Sequence, residues 1–217
     1  MKIAVLGTGP VGRTLGSKFT ALGHTVAMGS RDAANPTAAE WVVSAGAKAR
    51  AASFSGAAEG SDVIVNATAG ASSLLALNAC GARNLAGKVL IDVANALDFS
   101  AGFPPSLSVL NTDSLAESIQ RVFPDVMVVK TLNTMAAPVM VDPQLVAGGD
   151  HDVFLAGNDD DAKAVVVGLL QEIGWQPGHI RDLGGLDGAR GMEMYLPLWL
   201  RLMGNLGHAS FNFRVVS

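Results

Sequence analysis

The sequence predicts an α/β protein: a doubly wound, mostly parallel sheet with a small α-rich C-terminal extension. Three observations carry this. Short runs rich in Val, Ile and Leu recur from the N-terminus to Thr134, with helix-like stretches between them. The runs are apolar continuously rather than in alternation, as strands covered on both faces are. The first of them leads straight into "GTGPVG", a glycine turn that opens a helix.

The strands fall at "KIAVLG" (2–7), "TVAMGS" (25–30), "DVIVNAT" (62–68), "KVLIDVA" (88–94) and "VMVVKTL" (126–132), with a shorter one at "KARAASF" (48–54). Pro10–Leu22 reads as helix, with Leu15, Phe19 and Leu22 on one face. In "NPTAAEWVVSAG", Asn35 is placed as N-cap, Pro36 at the first helical position and Gly46 as the stop. Strand–helix alternation of this kind implies right-handed crossovers, and so a parallel sheet of the Rossmann type.

"NTMAAPVMVDPQLVAGGD" reads as a Pro/Gly-containing connection, and the chain divides into 1–150 and an extension over 151–217, or folds as one compact domain. "DVFLAGND" (152–159) gives a strand, 160–173 a helix ended by Gly174, and "GHIRDLG" a returning strand. Residues 186–208 form a glycine-interrupted helical stretch, apolar nearly all round, which Pro197 should kink or restart. Such a stretch needs a second partner besides its own core, either a bound flat cofactor or, as expected here, another subunit.

Composition narrows the function. Apolar residues are 49% and charged residues 16% of the chain, so a large core is expected and disorder is not. The net charge of −4 leaves no basic footprint for nucleic acid. "MYLPLWLRLMGNLG" is too short for a membrane span and is interrupted by Arg201. The single Cys80 excludes an internal disulfide and a cysteine-rich metal site, and reads as packing. With no secretory signal, the cytoplasm is the expected location.

In "GTGPVG", Gly7 permits the tight turn, Gly9 lets backbone approach a pyrophosphate and Gly12 lets the helix lie against the sheet. The intervening Thr8, Pro10 and Val11 complete a cradle whose helix N-terminus offers N–H groups to phosphates. At the tip of the second strand, a partner for an NAD ribose would be an acid. The chain reads Gly29-Ser30-Arg31 instead, a hydroxyl and a planar guanidinium suited to a 2′-phosphate, which favours NADP(H). Asp32 must point away for that reading to hold. Ala67, Thr68 and Ala69 after the third main strand, Asn95 after the fourth, and Asn133 and Thr134 after the fifth should line the nicotinamide crevice. No nucleophile–base pair or metal cluster appears; His24 reads as structural and His208 as packing in the apolar tail. Hydride transfer between two flat cofactors needs alignment and dryness more than a protein acid.

These features together resemble the F420-dependent NADP oxidoreductases. The resemblance runs nearly end to end, through the opening stretch from Met1 to Asp32, "KTLNTMAA", "VFLAGNDDDAK" and "EMYLPLWLRLMGNLG". It implies a compact, commonly dimeric protein that exchanges a hydride between NADP(H) and the deazaflavin coenzyme F420, or passes electrons to FMN or FAD. It puts the glycine turn on Gly7–Gly12, the 2′-phosphate site on Ser30 and Arg31, and the crevice after the fifth strand on Asn133, Thr134 and Met135. Archaeal members tend to read "HTIP" where this chain has "NTMA", an aromatic-containing "IPWEH"-like stretch for "TAGAS", and basic residues where Asp32-Ala33-Ala34 stands. NADP binding survives these changes more easily than the acceptor's identity does. Two alternatives stand beside this reading: an imine or carbonyl reductase similar to pyrroline-carboxylate reductases, and a non-catalytic NADPH-binding redox module. The former needs a longer helical domain than the stretch after Thr134 supplies.

Overall fold

The computed structural model describes residues 1–216. Its main sheet has eight strands: β1 (Lys2–Leu6), β2 (Thr25–Ser30), β3 (Ala49–Ser53), β4 (Val63–Asn66), β5 (Val89–Asp92), β8 (Met127–Thr131), β9 (Val153–Gly157) and β10 (Ile180–Asp182). The other two, β6 (Leu97–Asp98) and β7 (Ser106–Leu107), make a small antiparallel hairpin. The main order is β10-β9-β8-β5-β4-β1-β2-β3. From β3 to β8 all pairs are parallel; β9 runs antiparallel to β8, and β10 parallel to β9. The chain winds outward from β1 to β3, then restarts at β4 on the other side of β1. That reversal opens a crevice beyond the carboxyl ends of β1 and β4.

Both faces of the sheet are covered, which is why the strands read as unbroken apolar runs. On one face, α1 (Pro10–Ala21), α2 (Pro36–Ala45), α7 (Ala137–Val141) and α8 (Asp160–Ile173) bring Leu15, Trp41, Val139 and Leu170 onto Val5, Met28 and Val129. On the other, α3 (Phe54–Ala58), α4 (Gly70–Cys80), α5 (Ala82–Leu85) and α6 (Leu115–Val122) set Leu77, Leu85 and Ile119 against Leu6, Ile64 and Leu90. The C-terminal part is helical, with α9 (Ala189–Met194) and α10 (Leu196–Leu206) broken at Tyr195, just before Pro197. One sheet runs through both the 1–150 and the 151–216 segments, because β9 pairs with β8.

The local signals behave as chemistry dictates. Asn35 Oδ1 accepts the N–H of Ala38, capping α2, and Gly46 ends that helix with a positive φ of 87°. Gly174 closes α8 in the same way. Burial pushes the Cys80 thiol up to about 12, as expected of a packed rather than reactive cysteine.

Some expectations need correction. Leu22 lies just past the end of α1 and faces solvent, since the helix stops before it. The connection after Asn133 contains the short helix α7, started by Pro138 in its first turn. His208 follows α10 on an exposed turn, so it is not a packed residue of the tail. His24 is buried and structural as read, bonded to Glu172 at 2.8 Å and to the N-terminal amine at 3.2 Å.

A Cβ on Gly12 would stand 2.1 Å from the Gly7 carbonyl oxygen, so α1 can approach the glycine turn only without a side chain there. Gly12→Ala is expected to lower stability by about 1–3 kcal/mol through overpacking, read as a fall in the urea midpoint. An unchanged midpoint would show that the turn does not need this close approach.

Candidate active site

The crevice is built from strand ends. A cleft of about 440 Å³ lies beyond β4 and β5, lined by Val11, Ala67, Thr68, Ala69, Gly70, Asn95 and Phe99 among others. Gly7 and Gly12 form its entrance turn, and the Gly7 N–H donates to Gly29 O at 2.9 Å, tying that turn to the end of β2. Gly9 caps α1 with no side-chain hydrogen bond, and a Cβ there would meet nothing within 4 Å. The first N–H groups of α1 thus stand free and open, a fitting cradle for a pyrophosphate. Thr8 is half-buried, while Gly9 and Pro10 are exposed at the mouth. A larger hollow of about 610 Å³ lies between the outer faces of α1, α2 and α7, walled by Arg13, Trp41 and Asp142. It touches none of the strand ends where this fold binds ligands.

At the tip of β2 the three residues part company. Arg31 is exposed, and among the described residues its guanidinium makes no hydrogen bond or ion pair. Ser30 is buried, and its hydroxyl donates to the Asp32 carbonyl at 2.5 Å. In this arrangement the Ser30 hydroxyl is engaged within the loop. Asp32 folds back along its own turn, with Oδ1 accepting the Ala34 N–H at 2.9 Å. A short acid that bonds to a backbone N–H two residues ahead is fixed in a turn, so its carboxylate is not held out beside Arg31.

Two of the predicted crevice residues, Asn95 and Asn133, bond to each other. Asn95 Nδ2 donates to Asn133 O at 2.9 Å, and Asn133 Nδ2 donates to Asn95 Oδ1 at 2.9 Å and to Met192 O at 3.0 Å. Thr68 Oγ1 donates to Asn66 Oδ1 at 2.7 Å. Asn133, Thr134 and Met135 are buried beyond β8 rather than lining the 440 Å³ cleft itself, because α9 lies over them.

Behind this wall lies a charge network that motif reading missed. The Lys130 ammonium is fully buried, 2.8 Å from Asp92 Oδ2 and 2.8 Å from Glu193 Oε1, and it also donates to Ala94 O. Asp92 Oδ1 accepts from Asn66 Nδ2 at 2.8 Å. Glu193 also accepts the N–H groups of Leu115 and Ala116 at the start of α6. The only signal in the sequence was a lysine and an aspartate inside otherwise apolar strands. Burial works against the charge on Lys130, but the two carboxylates and their hydrogen bonds outweigh it and hold the ammonium above the ordinary lysine range.

Comparison with known proteins decides the family. Residues 2–96 match the family described as NADP oxidoreductase, coenzyme F420-dependent. A crystal structure from Arthrobacter sp. FB24, described as a candidate F420-dependent NADP-reductase, superposes over 100% of both chains with a TM-score of 0.96 and 53% identity. The chain belongs to the F420-dependent NADP oxidoreductase family. This family member is also 30% identical over 121 residues to the F420-dependent NADP reductase of Methanocaldococcus jannaschii, covering 55% of this chain and 52% of that protein. It is 28% identical over 206 residues to the metalloreductase STEAP3 of Rattus norvegicus, covering 91% of this chain and 38% of that one. The chain spans about half or less of the length of these two curated relatives. Among the described residues no helix of this oxidoreductase-family chain is long and apolar enough to cross a membrane, and no group of His, Cys, Asp or Glu is placed to hold a metal ion.

Removing one member of the network leaves charge buried without its partner. Lys130→Met is expected to cost about 3–5 kcal/mol in urea unfolding. A lysine whose pKa rises on folding stabilises fully below its unfolded value of about 10.4 and loses that contribution as pH climbs through the folded value. The Lys130→Met deficit should therefore stay level from about pH 6 to about pH 10 and shrink above that range. A deficit that vanished near neutrality would contradict a charged, paired Lys130.

Proposed function

We propose that this chain binds NADP(H) along the cleft and exchanges a hydride between it and a deazaflavin or flavin acceptor. The free, exposed guanidinium of Arg31 beside a turned-away Asp32 is the observation that carries the NADP(H) preference. Gly7, Thr8, Gly9, Pro10, Val11 and Gly12 would hold the pyrophosphate at the uncapped start of α1. Arg31 would clamp the 2′-phosphate, with Ser30 fixing the loop that presents it. Ala67, Thr68, Ala69, Asn95 and Asn133 would shape the nicotinamide end. The cofactor, when bound, supplies or takes the hydride; the chain's share is alignment and exclusion of water.

The cleft wall supports exchange between two redox rings over carbonyl or imine reduction. Its single titratable lining residue is Asp98. The Ser100 backbone N–H holds that carboxyl below the ordinary range, so near neutral pH it has no proton to give. A carbonyl or imine reductase needs such a donor beside the reacting carbon. For the acceptor, the family description names coenzyme F420, and the M. jannaschii relative bears the same name. FMN and FAD are kept as alternatives because the "NTMA" and "TAGAS" stretches depart from the archaeal pattern.

A second copy of the chain is the partner we assign to α10. Leu198 is 52% and Leu206 47% exposed on that helix, whose own core contact is Leu196. Leu198→Glu should convert a dimer to a monomer in light scattering; a wild-type chain that runs as a monomer ends this assignment.

The deciding experiment is a paired titration with NADPH and NADH, followed by stopped-flow oxidation of NADPH with coenzyme F420, FMN and FAD. Arg31→Ala should cost about 1.5–3 kcal/mol in NADPH affinity and leave NADH unchanged. Equal wild-type affinities for the two nucleotides would defeat the role of Arg31. Binding of NADPH without turnover of any acceptor would leave a non-catalytic nucleotide module.

A further inference from the structure

The wall of the 440 Å³ cleft carries charge of one sign only. Asp98 and Phe99 follow one another where the β6–β7 hairpin leaves the end of β5, and both line the cleft. Among the described residues every other lining residue is neutral, with no lysine, arginine or histidine. Phe99 is 59% exposed and its side chain joins neither core cluster, so its ring is left open to a ligand in the cleft. The Asp98 carboxylate likewise forms no ion pair among the described residues.

Local chemistry fixes both groups where they stand. Asp98 Oδ1 accepts the Ser100 N–H at 2.8 Å, which starts a turn just past β6. The Gly102 N–H closes that turn on Phe99 O at 2.9 Å, at a φ of 95° that glycine adopts readily. The hairpin itself is tied down by the pairs Leu97–Leu107 and Asp98–Ser106 and by the Ser108 N–H, which donates to Ala96 O at 2.8 Å. Behind the wall, Lys130 reaches the carbonyl of the cleft residue Ala94, and its network holds two carboxylates for one ammonium. The surplus there has the same sign as Asp98.

A carboxylate, an open aromatic face and no competing cation suit a flat, delocalised cation. The oxidised nicotinamide ring is such a cation, whereas the dihydro ring is neutral. We propose that Asp98 and Phe99 make the cleft bind NADP⁺ more tightly than NADPH, and so favour release of the hydride from NADPH to the acceptor. In that step the C4–H bond of the dihydronicotinamide breaks. The proton and its electron pair pass together to the acceptor ring, and the positive charge stays on the nicotinamide. A fixed carboxylate and an electron-rich ring face are in place to meet that charge as it develops. Asp98 thus acts by its charge and not as a proton donor. The two forms of the nucleotide share the same adenosine, pyrophosphate and 2′-phosphate, so any preference between them is set at the nicotinamide end. The inference rests on the NADP(H) reading above and gives it a direction.

The test is calorimetric titration at low ionic strength with NADP⁺, NADPH and 2′,5′-ADP, which has no nicotinamide. Wild-type protein should bind NADP⁺ at least about fivefold more tightly than NADPH. Phe99→Leu keeps an apolar cover without a π face and should shrink that ratio about two- to fivefold. Asp98→Asn keeps an oxygen for the Ser100 N–H without the charge and should shrink it about three- to fivefold. Both variants should hold 2′,5′-ADP as wild type does. The ratio is internal to each protein, so a variant that loosens the whole cleft lowers both affinities alike and stays readable. Equal or tighter binding of NADPH by wild type, or an unchanged ratio in both variants, overturns the inference and leaves the NADP(H) reading standing. If none of the three nucleotides binds, both fall. The expected ratios without oxidation of NADPH by coenzyme F420, FMN or FAD support the inference and defeat the acceptor reading alone.

Discussion

The ammonium of Lys130, with no exposure to water, fixes how the carboxyl end of this sheet is arranged. Burying an isolated charge costs several kcal/mol even after relaxation, so the fold must bring it partners from wherever the chain can supply them. Asp92 arrives from the neighbouring strand, and Glu193 from a helix near the far end of the chain. The triad has one carboxylate more than it has ammonium groups, and the surplus falls at the start of α6, where the N–H groups of Leu115 and Ala116 meet Glu193. Three strands and two helices are thereby set in one arrangement relative to each other.

The walls of the cleft follow from that arrangement. Asp92 orients Asn66, and Asn66 orients Thr68. Glu193 holds α9, and the Met192 carbonyl next to it receives Asn133, which in turn clasps Asn95. The cleft therefore has a rigid polar rear wall although few of its own lining residues are charged. With Asp98 as its one titratable lining residue, the cleft suits a reaction in which alignment does most of the work.

The cleft's entrance and the network behind it are built from different material. The nucleotide end is mostly backbone: a glycine turn, an uncapped helix start and one free arginine, all upstream of Asp32. The network behind the cleft is made of side chains, gathered from β8, β5 and α9. Backbone sites leave a local signature in spacing, because only glycine fits where chains approach closely. Side-chain sites assembled from distant segments leave none. This is why Gly7, Gly9 and Gly12 were legible, whereas the pairing of Lys130 with Glu193 was not.

By itself the sequence determined the fold class, the strands of the main sheet, the glycine cradle and the cap of α2, since each depends on a few neighbouring residues and their intrinsic geometry. It also placed the polar residues at the strand ends, because a parallel sheet puts them there whatever the rest of the chain does. Only the tertiary structure decided that Lys130 is neutralised by Glu193 and that β9 reverses direction beside β8. The physical reason is common to both. Charge pairing and sheet-edge pairing are settled by which groups meet across the fold, and separation along the chain carries no record of that meeting.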